Sequence, residues 1–356
     1  MDEIKQLLKD LITVPGLSGY EEPVRELIKA VWEPLTDELS TSKLGNLYGL
    51  SKGTGGTPRK SILIATHMDA IGLIVTRVED SFIRVAEIGG IDHRILPGQM
   101  VTIHSRGGDL PGMVIQPPAH TLPEDAQSGP VPLKYLWVDT GLSSSMTTKQ
   151  VMIGDLVSFA TEPIEFDGDY ICGHSFDNRA SVVALTETLK LLGKRRIEWD
   201  VWAVATVSEE VTMGGAMTSG FQLRPSLGVV IDVTYGKSPG SPEHLTYEMN
   251  KGPTLDWGPN THLKLYNVFE DLAKQLEIPF QRAVYQRSSG TDAYFLQLAA
   301  EGIPTMILSI PLRYMHTPVE MLQIKDITRT ARLLVEFITM LDDEFMGKLS
   351  WEEMNE

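Results

Sequence analysis

The chain has 356 residues, enough for one large core or two domains, with 42% hydrophobic and 22% charged residues, as is ordinary for a globular protein. Lys and Arg total 31 against 47 Asp and Glu, and the net charge of −16 argues against nucleic acid or an anionic membrane as partner. A single cysteine, Cys172, rules out an intramolecular disulfide and any cysteine-based metal cluster. No apolar run approaches membrane-spanning length, and the charged amphipathic start MDEIKQLLKDL lacks the apolar core of a signal peptide, so a cytoplasmic location is expected.

In chain order, helical periodicity over 2–11 and 21–32 frames a turn, PGLSGYEE. A short strand is expected at 45–50, a Gly/Thr/Pro loop at 52–60, and a buried strand in SILIATHMDAIG that ends at a polar cluster. From about 71 to 167 the texture changes to short alternating runs such as FIRVAEI and LVSFA, separated by proline-rich turns. This predicts an all-β unit inserted after the strand that carries His67. Helices and strands alternate again afterwards. An amphipathic helix is expected at 178–192 with Asp177 at its N-cap, then a strand from Trp199, a strand at 227–233, a helix at 263–276 and a strand at 280–285. A helix at 291–300, a strand at 305–310 and a closing helix at 324–341 complete the chain. The fold class is α/β: a mixed-sheet α/β/α domain (1–70 and 168–356) interrupted by a smaller, β-rich domain (71–167).

Five polar signals stand at strand ends or a helix start: His67 with Asp69, Asp177, the pair Glu209 and Glu210, Asp232, and His316 after ILSIPLRYM. In an open α/β sheet, ligands bind just outside the carboxyl ends of the strands. Imidazoles and carboxylates converging there suit borderline divalent ions, zinc above all, and a surplus of carboxylates suggests two ions sharing a bridging acid. The adjacent glutamates point in different directions and can hold different jobs. Taken singly, each signal has a plain alternative: Asp177 a helix cap, Glu210 and Asp232 loop acids, and His93, His104, His174, His244 and His262 solvated or capping histidines. The joint pattern is what points to a metal centre.

ATHMDAIG, GHSFDNRAS, VSEEVTMGGA, VVIDVT, SSGTDA and IPLRYMHTPVEM occur in the order and context of the forty-second metallopeptidase family, the glutamyl and tetrahedral aminopeptidases. PGLSGYEEPVRELI and LGNLYG match as well, so the chain resembles that family over nearly its whole length. The resemblance implies two divalent ions per subunit, zinc or cobalt. His67 and Asp232 would hold one ion, Glu210 and His316 the other, and Asp177 both. Asp69 would orient His67, and Glu209 would be the general base that takes a proton from the activated water. It also implies an inserted domain for oligomerisation, a homo-oligomer such as a tetrahedral dodecamer, and short peptides with a free N-terminus as substrates.

The chain departs from the family pattern at Ser208, where glutamine is usual, at Thr212, where glycine is usual, and at His174 and Ser175, where a lysine-alanine pair often stands. These positions are expected to touch the pocket walls, with Tyr235, Lys237 and the stretch 290–293 as plausible substrate neighbours. His120 is read as a turn residue that could face the site. Rival readings are a dinuclear carboxypeptidase or deacylase of similar fold, a glycosidase, and a non-catalytic scaffold. An acetylated substrate separates the first, because only an aminopeptidase needs the free amine. A glycosidase needs two carboxyls on opposite sides of the bond and leaves the histidines without purpose.

Overall fold

Residues read as apolar strands in the sequence lie side by side in the computed structural model, which describes residues 1–351. The chain opens with helices α1 (Asp2–Thr13) and α2 (Glu22–Trp32). They bury Ile4, Leu8, Leu11 and Ile12, and Val24, Ile28 and Trp32, at the three-to-four spacing that puts apolar residues on one face. A hairpin, β1 (Glu38–Thr41) and β2 (Leu47–Ser51), leads to β3 (Ser61–His67). The next strands are β4 (Gly72–Glu79), β5 (Phe82–Ile88), β6 (Met100–Ser105), β7 (Gly108–Ile115) and β8 (Trp137–Asp139), followed by a helix α3 (Ser144–Gln150) and β9 (Leu156–Phe159). These six strands close into a barrel in the order β4-β5-β8-β7-β6-β9 around its own core of Leu73, Ile83, Ile103, Val114, Leu136, Val138 and Val157. The segment is not purely β, because α3 and four single 3-10 turns punctuate it.

After the barrel, β10 (Ile164–Phe166) and β11 (Tyr170–Gly173) pair with each other and, through β11, with the late strand β17 (Glu320–Gln323). Helix α4 (Phe176–Leu192), β12 (Asp200–Thr206), the one-turn α5 (Glu209–Thr212), α6 (Gly214–Leu223) and β13 (Leu227–Tyr235) follow. The rest is β14 (Thr254–Trp257), α7 (Leu263–Gln275), β15 (Gln281–Val284), α8 (Ala293–Leu298), β16 (Thr305–Leu312) and α9 (Ile324–Thr339).

The main sheet runs β1-β2-β12-β3-β13-β16-β14-β15, and its centre, β12-β3-β13-β16, is parallel. Its central strands carry continuous apolar runs because both faces are covered, as parallel sheets require. α1, α4, α7 and α9 lie in the larger core on one face, and α6 and α8 contribute to the smaller core on the other, giving three layers. The parallel register sets Thr206 beside His67 and Asp232 beside Ser309, so the carboxyl ends open on one edge.

Two expectations change here. α4 is not amphipathic: 14 of its 17 residues are buried, because it is sandwiched between the sheet and helices α1 and α9. Nor does Asp177 cap it with its side chain. Asp177 and Asn178 are non-helical, and the carboxylate faces imidazoles instead. β1 and β14 had no clear sequence signal. β1 is an edge strand with three of four residues exposed, and β14 is only four residues long.

Candidate metal centre

The site is built at that carboxyl edge from five stretches of chain. His67 is the last residue of β3, Asp232 lies near the end of β13, and Glu209 and Glu210 begin α5 three residues after β12. Asp177 sits in the irregular first turn of α4, and His316 follows β16 in a left-handed conformation, φ 62°. All six line one cavity of about 410 Å³. His67, Asp177, Glu209 and Asp232 are buried, and the His316 side chain is 37% exposed at the mouth.

The distances divide the residues into two groups. His67 Nε2 is 3.1 Å from Asp177 Oδ1 and 3.7 Å from Asp232 Oδ1. His316 Nε2 is 3.3 Å from Asp177 Oδ2 and 3.5 Å from Glu210 Oε2. Asp177 therefore turns one oxygen to each imidazole. The sets His67, Asp177, Asp232 and Asp177, Glu210, His316 each bring three ligand atoms within 4.8 Å of one another. Ligand atoms around a tetrahedral zinc stand roughly 3.3 Å apart, given bonds of about 2.0–2.1 Å. Glu209 lies 3.8 Å from His67 Nε2 and outside both of these sets; it forms a third with His67 and Glu210 that lacks Asp177.

The electrostatics also ask for cations. Burial disfavours charge on His67, yet Glu209, Asp177, Asp232 and Asp69 outweigh it and hold the imidazole well above its usual range. Burial pushes Glu209 and Glu210 well above the ordinary carboxylate range, with Asp232 and Asp292 adding repulsion at the first and Asp177 at the second. Burial also raises Asp232, whereas the two imidazoles overcome burial at Asp177 and lower it. The carboxylates outnumber the imidazoles, and Glu210 Oε1 is buried without a hydrogen-bond partner. Oxygen and nitrogen donors with a surplus of negative charge fit divalent ions.

Asp69 holds more than an imidazole. Its carboxylate accepts from Ser18 Oγ (2.6 Å) and from the backbone N–H groups of Glu209 (3.0 Å) and Glu210 (3.2 Å). His67 Nδ1 is 3.5 Å from this carboxylate and 3.2 Å from the Asp69 carbonyl oxygen. Several supporting residues had no separate role in the sequence reading. Glu320 is 1% exposed and accepts from the N–H groups of Asp177 (3.2 Å) and His316 (3.1 Å), tying one residue of each histidine's surroundings together. Asp292 accepts a 2.5 Å bond from Thr206 Oγ1 beneath the cluster, and burial pushes its carboxyl up to about 7. Both lie inside quoted motifs, HTPVEM and SSGTDA, which was the only signal of their presence.

Tyr235, Gly290 and Thr291 line the cavity as expected, together with Tyr247 and Tyr285, but Lys237 does not; its ammonium pairs with Glu248 at 3.2 Å. Ser208, Thr212, His174 and Ser175 are also outside the described cavity lining. Ser208 turns back toward Glu21, Thr212 Oγ1 donates to its own helix at the Ser208 carbonyl, and His174 and Ser175 line a separate cavity of about 180 Å³ toward the barrel. His120 is exposed in a 3-10 turn of the insert and does not line the metal cavity.

A carboxylate and imidazole cluster in a cavity at the carboxyl edge of a three-layer α/β sheet has the donor set of a divalent-metal site. The model of a family described as M42 glutamyl aminopeptidase matches residues 45–333. A lysyl aminopeptidase of Pyrococcus furiosus is 34% identical over 333 residues, covering 92% of this chain and 94% of that protein. An aminopeptidase from the archaeon Desulfurococcus kamchatkensis superposes with a TM-score of 0.91 at 31% identity, covering 98% of each chain. The TET1 peptidase of Pyrococcus horikoshii gives a TM-score of 0.82 at 28% identity, over 95% of this chain and all of that one. The chain belongs to the M42 family and is an aminopeptidase.

Proposed function

We propose that this aminopeptidase works with two divalent ions, zinc or cobalt, held by His67 and Asp232 on one side, Glu210 and His316 on the other, and Asp177 between. The observation that carries this reading is that two of the three possible three-residue sets share Asp177, which turns one oxygen to each imidazole. When bound, such ions polarise the scissile carbonyl, draw in the free α-amine and acidify water.

The chain's own residues supply the rest. Glu209 faces the cavity outside both sets that share Asp177, which leaves its carboxylate to accept a proton from the attacking water and return it to the leaving amine. Asp69 fixes both His67 and the backbone of the glutamate pair. Tyr235, Tyr247 and Tyr285 wall the cavity beside the cluster, where the first residue of the substrate would sit.

The test is Glu209→Gln, assayed with metal analysis on aminoacyl chromogenic substrates with and without chelator. Turnover is expected to vanish while the metal content stays at the wild-type value; near-normal hydrolysis sinks the assignment. N-acetylation of the substrate is expected to abolish cleavage.

The inserted domain, 71–167, which carries the barrel, is proposed as the oligomerisation domain of a homo-oligomer. Support comes from the Pyrococcus horikoshii relative, whose description has it assembling into a tetrahedron or a large octahedral shell. Exposed Met100, Met113, Met152 and Ile153 on the insert give it an apolar surface for such contacts. No helix among the described residues is long and apolar enough to cross a membrane. A cytoplasmic site of action is the reading that the single cysteine supports.

A further inference from the structure

Four consecutive backbone N–H groups at the start of the catalytic turn are each received by a side chain from elsewhere. Val207 N–H donates to Asn46 Oδ1 (3.0 Å), Ser208 N–H to Glu21 Oε1 (3.0 Å), Glu209 N–H to Asp69 Oδ1 (3.0 Å) and Glu210 N–H to Asp69 Oδ2 (3.2 Å). The first N–H groups of a helix have no partner within it, and the residue before the helix usually supplies one. Here Ser208 makes no such side-chain cap and is left-handed, φ 57°. The position of Glu209 is therefore set by three outside segments: the turn before α2, the residue before β2 and the second residue after β3.

We propose that Glu21 is a positioning residue that fixes Glu209 through the backbone of Ser208. The proposal rests on the reading of Glu209 as general base. Glu21 is 5% exposed, does not line the metal cavity and lies 187 residues from its partner in sequence. Its Oε1 also receives the Gly19 N–H (2.7 Å) and lies 3.4 Å from Ser208 Oγ, so the turn before α2 and the catalytic turn are pinned to one atom. Asn46 extends the same clamp, because its amide donates to the Gly215 carbonyl (3.2 Å) while its oxygen holds Val207, joining both ends of the 207–215 loop. Since both backbone bonds to Glu21 end on Oε1, what the loop needs is one oxygen at that reach, and a carbonyl oxygen would serve as well as a carboxylate.

The experiment compares Glu21→Gln, with the right reach and no charge, against Glu21→Asp, with charge and a side chain one methylene short. Both are assayed as metal-loaded full-length enzyme on aminoacyl-p-nitroanilides. Glu21→Asp is expected to lower kcat roughly tenfold to a hundredfold, as small misplacements of a catalytic group do, with KM and metal content unchanged. Glu21→Gln is expected to keep kcat within about threefold of wild type. Should Glu21→Asp not fold, Glu21→Met, of similar length and without an acceptor, takes its place with the same expected loss. Wild-type kcat in Glu21→Asp, a Gln variant as slow as the Asp one, or a loss expressed in KM or metal content overturns the proposal. Glu209→Gln run alongside separates the two layers: an active Glu209→Gln removes the base, whereas an inactive one beside a normal Glu21→Asp removes only the positioning role.

Discussion

His67 at the sheet edge and His104 in the barrel are surrounded by the same kinds of residue and do different things. His104 is held across three neighbouring strands, with Nδ1 2.8 Å from Asp109 Oδ1 and Nε2 2.8 Å from Ser158 Oγ. Asp109 is 65% exposed, so water shares the load of its charge. Each ring nitrogen has one partner, and the group is complete as it stands. The His67 side chain is 2% exposed and has Asp69, Asp177, Glu209 and Asp232 within 4 Å. Three of those carboxylates crowd Nε2, which can offer a single proton. A buried imidazole with more acceptors than it can satisfy is a call for cations, whereas an exposed aspartate-histidine-serine row is a cross-strand polar ladder.

That contrast can be broken most severely at Asp177. Asp177→Asn is expected to lose bound metal and to cut turnover roughly a thousandfold or more, measured by metal analysis and steady-state kinetics. An active, fully loaded variant would remove the shared ligand from the picture.

Asp256 provides an intermediate case, a buried carboxyl with hydroxyl donors and no imidazole beside it. It accepts from Thr254 Oγ1 (2.5 Å) and Ser309 Oγ (2.7 Å), and burial pushes it up to about 6. Because the folded form holds its proton more tightly, stability should be greatest below pH 4 as far as this group is concerned. It should fall as pH rises through 4 to 6, by about 3 kcal/mol. Asp256→Asn is expected to flatten that slope in urea unfolding followed across the same pH range.

A smaller effect is expected at Gly215. A Cβ there would lie 2.5 Å from the Val207 carbonyl oxygen and 2.6 Å from Asn46 Oδ1. Gly215→Ala should cost about 1–3 kcal/mol of stability and slow turnover by displacing the loop, with metal retained. The smallest effect is expected in the barrel, where His104→Ala should leave turnover unchanged and cost about 1 kcal/mol. Loss of activity there would mean that the two histidines are not so different.

Much of this was legible in the chain. Apolar runs ending in His67, Asp232 and, past a short peptide, His316 mark strands of one sheet, and parallel strands must deliver their ends to one edge. The paired glutamates after β12 followed from the same logic. What could not be read was convergence of loop residues. Glu21, Asn46 and Glu320 carry no periodic signal, and their partners lie 187, 161 and 143 residues away in the case of Ser208, Val207 and Asp177. The burial of α4 on all sides was hidden for another reason: Ser and Thr residues interrupt its apolar pattern, yet Thr186 and Thr188 turn their hydroxyls onto backbone carbonyls four residues back. The closure of the barrel depended on register between short strands, which alternation alone does not define.

The barrel lies between His67 and Asp177, two residues that end 3.1 Å apart. Its first and last strands, β4 and β9, pair with each other at Leu73 and Val157. A chain that folds this insert first sees it as a short tether rather than a long loop. Shrinking a loop of about 110 residues to about 26 relieves roughly 1.3 kcal/mol of closure entropy. The insert thereby eases the meeting of the centre's first pair of residues, a service to folding that is independent of any subunit contact it makes.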